Sequence, residues 1–258
     1  MPYLFDLDGT FYCGKLPLPG GDQLITLLNE KEIPYRFLTN APENHPEDIE
    51  ARLRAMGVPL RPGTVVTCAM MAVDLLEELR KTRQLSKINV LGDGDLRRRV
   101  RERGFALDEK DPDCVLLSFA REITVGQVQD AAVQIHRGAL FVATNPDPDI
   151  PNDRGLMPHT GWLIDGITHV TGKQPLMAGK PSPASRDTYT ALFRCPPEAI
   201  TVLGNRLDTD MAYARACGFR SVLILTGATS KEEAEKHRGE YDEVVEDMEA
   251  FIRRMNDE

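Results

Sequence analysis

The sequence has little with which to staple, anchor or cage itself. Its 258 residues include only five cysteines, at 13, 68, 114, 195 and 217. That number is odd and no two lie at metal-ligand spacing, which argues against a disulfide scaffold or a zinc site and predicts free, buried thiols. No apolar run approaches the length needed to cross a bilayer; Val65–Val73 is among the longest. Positive charge is in deficit, with 31 Lys and Arg against 40 Asp and Glu for a net charge of −9. Non-specific binding to nucleic acid or to an anionic membrane needs the opposite balance. Phosphorylated small molecules stay open as ligands, because a local lysine or metal outweighs a global field. Met1 runs straight into Tyr3-Leu4-Phe5-Asp6 with no basic region, apolar core or cleavage site, so a cytoplasmic location is expected. Repeats, heptads and low-complexity tracts are also missing.

What is present is an ordinary globular composition, 41% apolar and 28% charged. Short β-branched or apolar runs alternate with longer helical patterns, which predicts an α/β fold with a parallel sheet. The expected strands are Tyr3–Asp6, Tyr35–Thr39, Ile88–Gly92, Cys114–Ser118, Ala139–Ala143, Thr201–Gly204 and Ser221–Thr226. Met70–Arg83 reads as a helix with Val73, Leu76 and Leu79 on one stripe, and Thr209–Cys217 as a short helix closed by Gly218. With no Gly/Ser linker, a second domain must be an insertion, entered near 67–69 and left near 173–177. The acidic segment from Glu240 onward reads as a closing strand or turn followed by an amphipathic helix.

The most informative segment is Phe5-Asp6-Leu7-Asp8-Gly9-Thr10. In a parallel α/β sheet, ligands bind outside the carboxyl ends of the strands, where these two carboxylates would lie. Two such acids repel unless a cation or proton intervenes, and Mg²⁺ is a natural partner for hard oxygens shared with a phosphate. One Asp then serves as nucleophile and the other protonates the leaving group. Alone, the segment is equally well an Asx-type turn with solvated carboxylates. Three further elements change that balance. Thr39-Asn40 closes a strand with a hydroxyl and a backbone N–H; Gly179-Lys180-Pro181 presents a lysine between a flexible and a stiff residue. Thr201-Val-Leu-Gly-Asn-Arg-Leu-Asp-Thr-Asp210 ends a strand in oxygen-bearing side chains, with Asp208 or Thr209 as a candidate helix N-cap.

With these four elements in order, the chain resembles the haloacid dehalogenase superfamily of phosphotransferases. Within it, the chain is similar to the branch carrying a large α/β cap: nitrophenylphosphatases, pyridoxal phosphate phosphatases and sugar-phosphate phosphatases of amino-sugar operons. The likeness extends to Leu18-Pro19-Gly20-Gly21, Ala143-Thr144-Asn145-Pro146-Asp147 and Gly179-Lys180-Pro181-Ser182-Pro183. It implies a Rossmann-like doubly wound parallel-sheet core, residues 1–67 and 174–258, and an inserted α/β cap, residues 68–173, that selects the substrate.

The resemblance also implies roles. Asp6 matches the nucleophile and a metal ligand, and Asp8 the general acid/base, with its carbonyl on Mg²⁺. Gly9, Thr39, the Asn40 backbone and Lys180 match the phosphate-binding set. Asp210 matches an outer-shell metal partner. Asn205 stands where the family usually has a directly coordinating Asp; its amide oxygen can still ligate Mg²⁺, with one negative charge fewer. Asn145, Asp147, Asp149 and His159, in the loop Asn145–Trp162, are candidates for contact with the leaving group. Trp162 is expected in the cap core and His159 in a structural or surface role.

The implied activity is Mg²⁺-dependent hydrolysis of a small phosphomonoester, with aryl phosphates as artificial substrates. Asn205 keeps open a catalytically weak or inactive binding protein, and the same nucleophile would also serve a phosphotransferase. The implied partner is a small phosphorylated metabolite, and a homodimer is possible. Leu91-Gly92-Asp93-Gly94-Asp95 mimics an acidic metal loop, but reads as the start of the helix bearing Arg97–Arg103.

Overall fold

In a sequence with 6% aromatic residues, six rings gather around the strand that leads into Asp6. Phe5 stacks on Tyr3 at 5.7 Å and meets Phe11, Tyr35 and Phe37, while Tyr3 takes the edge of Phe251 at 5.8 Å. Such pairs add about 0.5–1.5 kcal/mol each beyond area burial. They fix the strand Tyr3–Phe5, whose side chains are all buried, the pattern of a strand covered on both faces.

The computed structural model describes residues 1–42, 45–152 and 155–257. These divide into two compact units, one of residues 1–39, 46–66 and 180–258, the other of residues 40–45 and 67–179. The first holds a six-stranded sheet in the order Glu243–Val245, Arg220–Ile224, Thr201–Gly204, Tyr3–Phe5, Tyr35–Thr39, Val65–Thr67. Numbered along the chain within this sheet, that is 6-5-4-1-2-3, the Rossmann order. Its topological switch point falls between Tyr3–Phe5 and Thr201–Gly204. Both neighbours of Tyr3–Phe5 run parallel to it.

The second unit has a five-stranded parallel sheet of its own, in the order Leu176–Met177, Leu140–Ala143, Cys114–Leu117, Lys87–Leu91, Ala106–Leu107. Helices Val125–Arg137 and Thr160–Thr171 bury Ala131, Ile135, Leu163, Ile164 and Ile167 with Val115, Leu117, Phe141 and Ala143. The helix Cys68–Thr82 opens this unit, with Thr67 as N-cap accepting from the Met70 N–H. The fold is α/β, doubly wound in the first unit.

The strands expected at Tyr35–Thr39 and Thr201–Gly204 occur with those bounds, and the others shift by one or two residues. Residues 174–179, expected in the core, belong to the second unit, because Leu176–Met177 pairs with Leu140–Ala143 and Gly179 N–H bonds to Thr144 O. Residues 40–45 also belong to the second unit. Neither Asp208 nor Thr209 is an N-cap: both lie inside the π-helical turn Leu207–Met211, and Asp208 is spent on the Arg206 side chain. Trp162, expected in a core, is 61% exposed, because the buried side of its helix is taken by Leu163, Ile164 and Ile167. The cysteines are free, but Cys13 is exposed and Cys195 half-buried. Asp93 caps the helix Gly94–Glu102, and the closing strand Glu243–Val245 is followed by the helix Met248–Asp257. No helix among the described residues is long and apolar enough to cross a membrane.

Candidate active site

At the switch point of the first sheet, Asp6 follows the buried Phe5, and its N–H is tied to Leu203 O at 2.9 Å. The chain then turns sharply. Thr10 and Phe11 N–H groups return to Leu7 O, and Gly9 takes φ 81°. Gly9 is required twice over, since a Cβ there would also lie 2.8 Å from the Asn205 side chain. Its own N–H is committed to Tyr12 O at 2.7 Å. Gly9 therefore serves the site through its backbone shape rather than through a free amide.

Lys180, only 2% exposed, joins the acids. Its Nζ donates to Asp6 Oδ1 and to Asp210 Oδ1, each at 2.6 Å. Asp210 is fully buried, and its second oxygen accepts the N–H groups of Asn205 and Arg206 at 3.1 Å. This carboxylate closes the turn after Thr201–Gly204 from within, which removes the need for a conventional N-cap. Gly204 admits it, because a Cβ there would come within 2.5 Å of the Asp210 carboxyl.

Two carboxylates and one ammonium leave the buried cluster with an excess negative charge. Burial pushes the Asp6 carboxyl up to about 7, the nearby Asp210 charge adds to the rise, and Lys180 opposes it. Burial works against the charge on Lys180, but the Asp210 and Asp6 carboxylates outweigh it and hold the ammonium above the usual lysine range. Asp8, by contrast, has an exposed side chain at the tip of the same turn.

Asn205 is 2% exposed and held on all sides. Its Nδ2 lies 3.1 Å from Asp6 Oδ2, 2.7 Å from Asp8 O and 3.3 Å from Thr10 Oγ1, while its Oδ1 accepts the Ala228 N–H at 2.8 Å. The residues implied for Mg²⁺ are thus together, but as arranged they do not fit a cation. The Asn205 amide oxygen faces a backbone donor, and the NH₂ group faces the two oxygens a metal would take. Among the described residues no three His, Cys, Asp or Glu side chains form a metal-ligand group either.

Thr39 is buried at the carboxyl end of its strand. The remaining candidates lie in the second unit. The fully buried Asn145 accepts at Oδ1 from Thr144 Oγ1 and Thr160 Oγ1, both at 2.8 Å, and donates from Nδ2 to Asp147 Oδ2 at 2.7 Å. Asp147 Oδ2 also accepts from Asn40 Nδ2 at 3.0 Å. The ring of His159 lies 3.4 Å from Asn145 Nδ2 and stacks on Phe119 with centroids 4.6 Å apart. Asn40, Asn145, Asp147 and His159 therefore form one polar network, buried at Asn145 and His159 and half-buried at Asn40 and Asp147, and His159 has a structural place in it. Asp149 stands apart, exposed at the start of the hairpin Asp149–Asn152 with Gly155–Pro158.

Sequence reasoning missed the support behind the first site. Thr226 Oγ1 donates to Gly9 O at 2.7 Å, Thr229 Oγ1 to Asn205 O at 2.7 Å, and Ala228 N–H to Asn205 Oδ1. The signal was available in part: this segment follows Arg220–Ile224, a neighbouring strand of the same sheet, at its carboxyl end.

Comparison with known proteins identifies the family. A family model described as haloacid dehalogenase-like hydrolase matches residues 3–106, and a second, HAD-hydrolase-like, matches residues 177–251. The acid sugar phosphatase of Staphylococcus haemolyticus is 30% identical over 232 residues, 90% of this chain and 87% of that protein. The crystal structure of 4-nitrophenylphosphatase from Thermotoga maritima superposes with a TM-score of 0.88 at 31% identity, covering 98% of this chain and 96% of the other. NagD from E. coli K-12 superposes with a TM-score of 0.87 at 27% identity, covering 96% of each chain. At 30% identity over nine-tenths of its length, and with two family models matched, the chain belongs to the haloacid dehalogenase-like hydrolases, among the phosphatases of that superfamily.

Proposed function

We propose that this protein hydrolyses small phosphomonoesters, sugar phosphates among them, through a phosphoryl group carried transiently on Asp6. The observation that carries the reading is the Lys180 ammonium held 2.6 Å from Asp6 Oδ1 at the switch point of the sheet. It places a fixed positive charge beside a carboxylate in the crevice where such sheets bind ligands.

Asp6 is built to attack. Its backbone is locked by Leu203 O, its side chain is oriented by Lys180, and its remaining oxygen is bonded by Asn205. An oxygen of its carboxylate forms a bond to phosphorus as the ester P–O bond breaks, and the departing oxygen takes a proton from Asp8. A water then attacks the aspartyl-phosphate, returning its proton to Asp8 and releasing inorganic phosphate, so both residues end as they began. The exposed Asp8 side chain suits this exchange, since it has to reach first a leaving group and then water. Lys180 balances the charge that gathers on the phosphoryl oxygens, with Asp210 holding the lysine in place. Thr39, at the end of the adjacent strand, supplies a further phosphate ligand. In the second unit, the network around Asn145 and Asp147 sets the shape of a substrate-selecting loop.

The sugar-phosphate class is taken from the acid sugar phosphatases that the chain resembles. The test is phosphate release from a panel of sugar phosphates, pyridoxal phosphate, nucleotides and nitrophenyl phosphate, by the native chain and by Asp6→Asn. Release that survives Asp6→Asn overturns the reading.

A further inference from the structure

We infer that the Asn205 carboxamide occupies the place of the catalytic cation and is latched there by the Ala228 N–H, so that the resting site of this protein is closed to divalent metal. The inference rests on the reading of Asp6 and Asp8 as the reacting pair and adds a control on that same site.

The orientation of the amide is decided by its neighbours. A backbone N–H only donates, so the atom 2.8 Å from the Ala228 nitrogen must be the amide oxygen. The NH₂ group then points to Asp6 Oδ2, Asp8 O and Thr10 Oγ1. Turning the amide over would set NH₂ against the Ala228 N–H, and would set Oδ1 against a carboxylate and a carbonyl. Both changes bury like against like. The walls permit little rearrangement, because Gly9 and Gly227 approach so closely that a Cβ on Gly227 would lie 2.2 Å from Asn205 Oδ1.

An Asp at this position would behave in the opposite way. One oxygen would keep the Ala228 bond, and the other would face Asp6 Oδ2 and Asp8 O, gathering three oxygens that require a cation. Asn205 replaces that requirement with hydrogen bonds. Loading a metal into the native chain therefore requires the amide to leave its latch first.

The test is Mn²⁺ titration followed by the EPR signal of free Mn²⁺, on the native chain, on Asn205→Asp and on Ala228→Pro, which deletes the latching N–H. Thermal unfolding of each is run in chelator and in Mn²⁺. Asn205→Asp is expected to bind one Mn²⁺ at least about tenfold more tightly than the native chain, as added ligand charge does elsewhere. It should also unfold earlier than the native chain in chelator and recover with metal. Ala228→Pro should move the native affinity toward that of Asn205→Asp. Native binding as tight as that of Asn205→Asp overturns the inference. So does an Asn205→Asp chain as stable in chelator as the native one. Should either variant fold poorly, the native titration decides alone, since tight one-site binding there is incompatible with a closed site. No turnover is read, so a failure here is distinct from a failure of the phosphatase reading, which Asp6→Asn reports.

Discussion

Thr226 Oγ1 donates to the carbonyl of Gly9 at 2.7 Å, across 217 positions of sequence, and so ties the loop after one strand to the acidic turn after another. That bond holds the backbone through which Asp8 is presented. Thr226→Val keeps the shape and deletes the donor, leaving a partly buried carbonyl short of a partner at a cost of about 1–3 kcal/mol. We expect a modest fall in melting temperature and a loss of about tenfold in kcat with KM little changed, since a displaced turn misaligns the reacting groups. Steady-state kinetics against nitrophenyl phosphate, with a thermal melt alongside, checks both.

The charge of Asp6 gives a pH dependence whose sign is fixed. Its carboxyl is raised from 3.8 to about 7 by burial first and by Asp210 second. Over that interval the native state keeps a proton that the unfolded chain has lost, so stability falls as pH rises through the interval and then levels off. Asp6→Asn leaves Lys180 paired with Asp210 alone and abolishes this penalty. In chelator, the melting temperature of Asp6→Asn relative to the native chain should be higher at about pH 8 than at about pH 5. A difference of the reverse sign would refute the assignment of burial as the cause.

Lys180→Met leaves two buried carboxylates facing each other with nothing between them. Breaking a buried ion pair from one side costs about 3–5 kcal/mol. Here the carboxyls escape part of that by binding protons, so the loss should be larger in alkaline than in acid buffer. Denaturant unfolding at two pH values measures it. Phosphate release should fall by about 10²-fold or more, as when one charge-stabilising donor is removed from an active site.

In the second unit, Asn145→Ala removes the amide on which Thr144, Thr160 and Asp147 converge. The buried Thr144 and Thr160 and the half-buried Asp147 are each left short of a bond, so a loss of roughly 2–3 kcal/mol is expected. Hydrogen exchange should locate it: amides of residues 140–152 and 155–164 lose protection, while those of Tyr3–Phe5 and Thr201–Gly204 keep theirs.

Much of the first site was legible in the sequence, for a physical reason. Asp6 and Asn205 each sit directly after an apolar run, at carboxyl-side strand ends where a parallel sheet must place its ligands, and Lys180 lies between two punctuating residues. What was not legible was the direction of hydrogen bonds. An amide at position 205 reads as a metal ligand until the Ala228 N–H is seen to claim its oxygen, and that contact joins segments the sequence does not pair. Asp208 read as a cap because acids favour helix starts, but Asp210 reaches back to the Asn205 and Arg206 amides first. Strands of two or three residues, such as Ala106–Leu107 and Leu176–Met177, fell below the length at which alternation can be recognised. Leu176–Met177 is what moved the boundary of the second unit. Trp162 looked like core on hydrophobicity alone, and only the phase of its helix shows it facing solvent.

The strand order of the first sheet also bears on how the protein is made. Tyr3–Phe5 lies between Tyr35–Thr39 and Thr201–Gly204, and Asp6 meets Lys180 across 174 positions. A nascent chain can complete residues 67–179, a contiguous stretch with its own sheet and core, while the first strand still waits for one of its two neighbours. Contacts of such long separation form slowly and leave strand edges open in the meantime. The first sheet therefore cannot close around Tyr3–Phe5 until Thr201–Gly204 has emerged from the ribosome, and a chain stopped short of Lys180 would hold the insert complete but lack the Asp6–Lys180 pair.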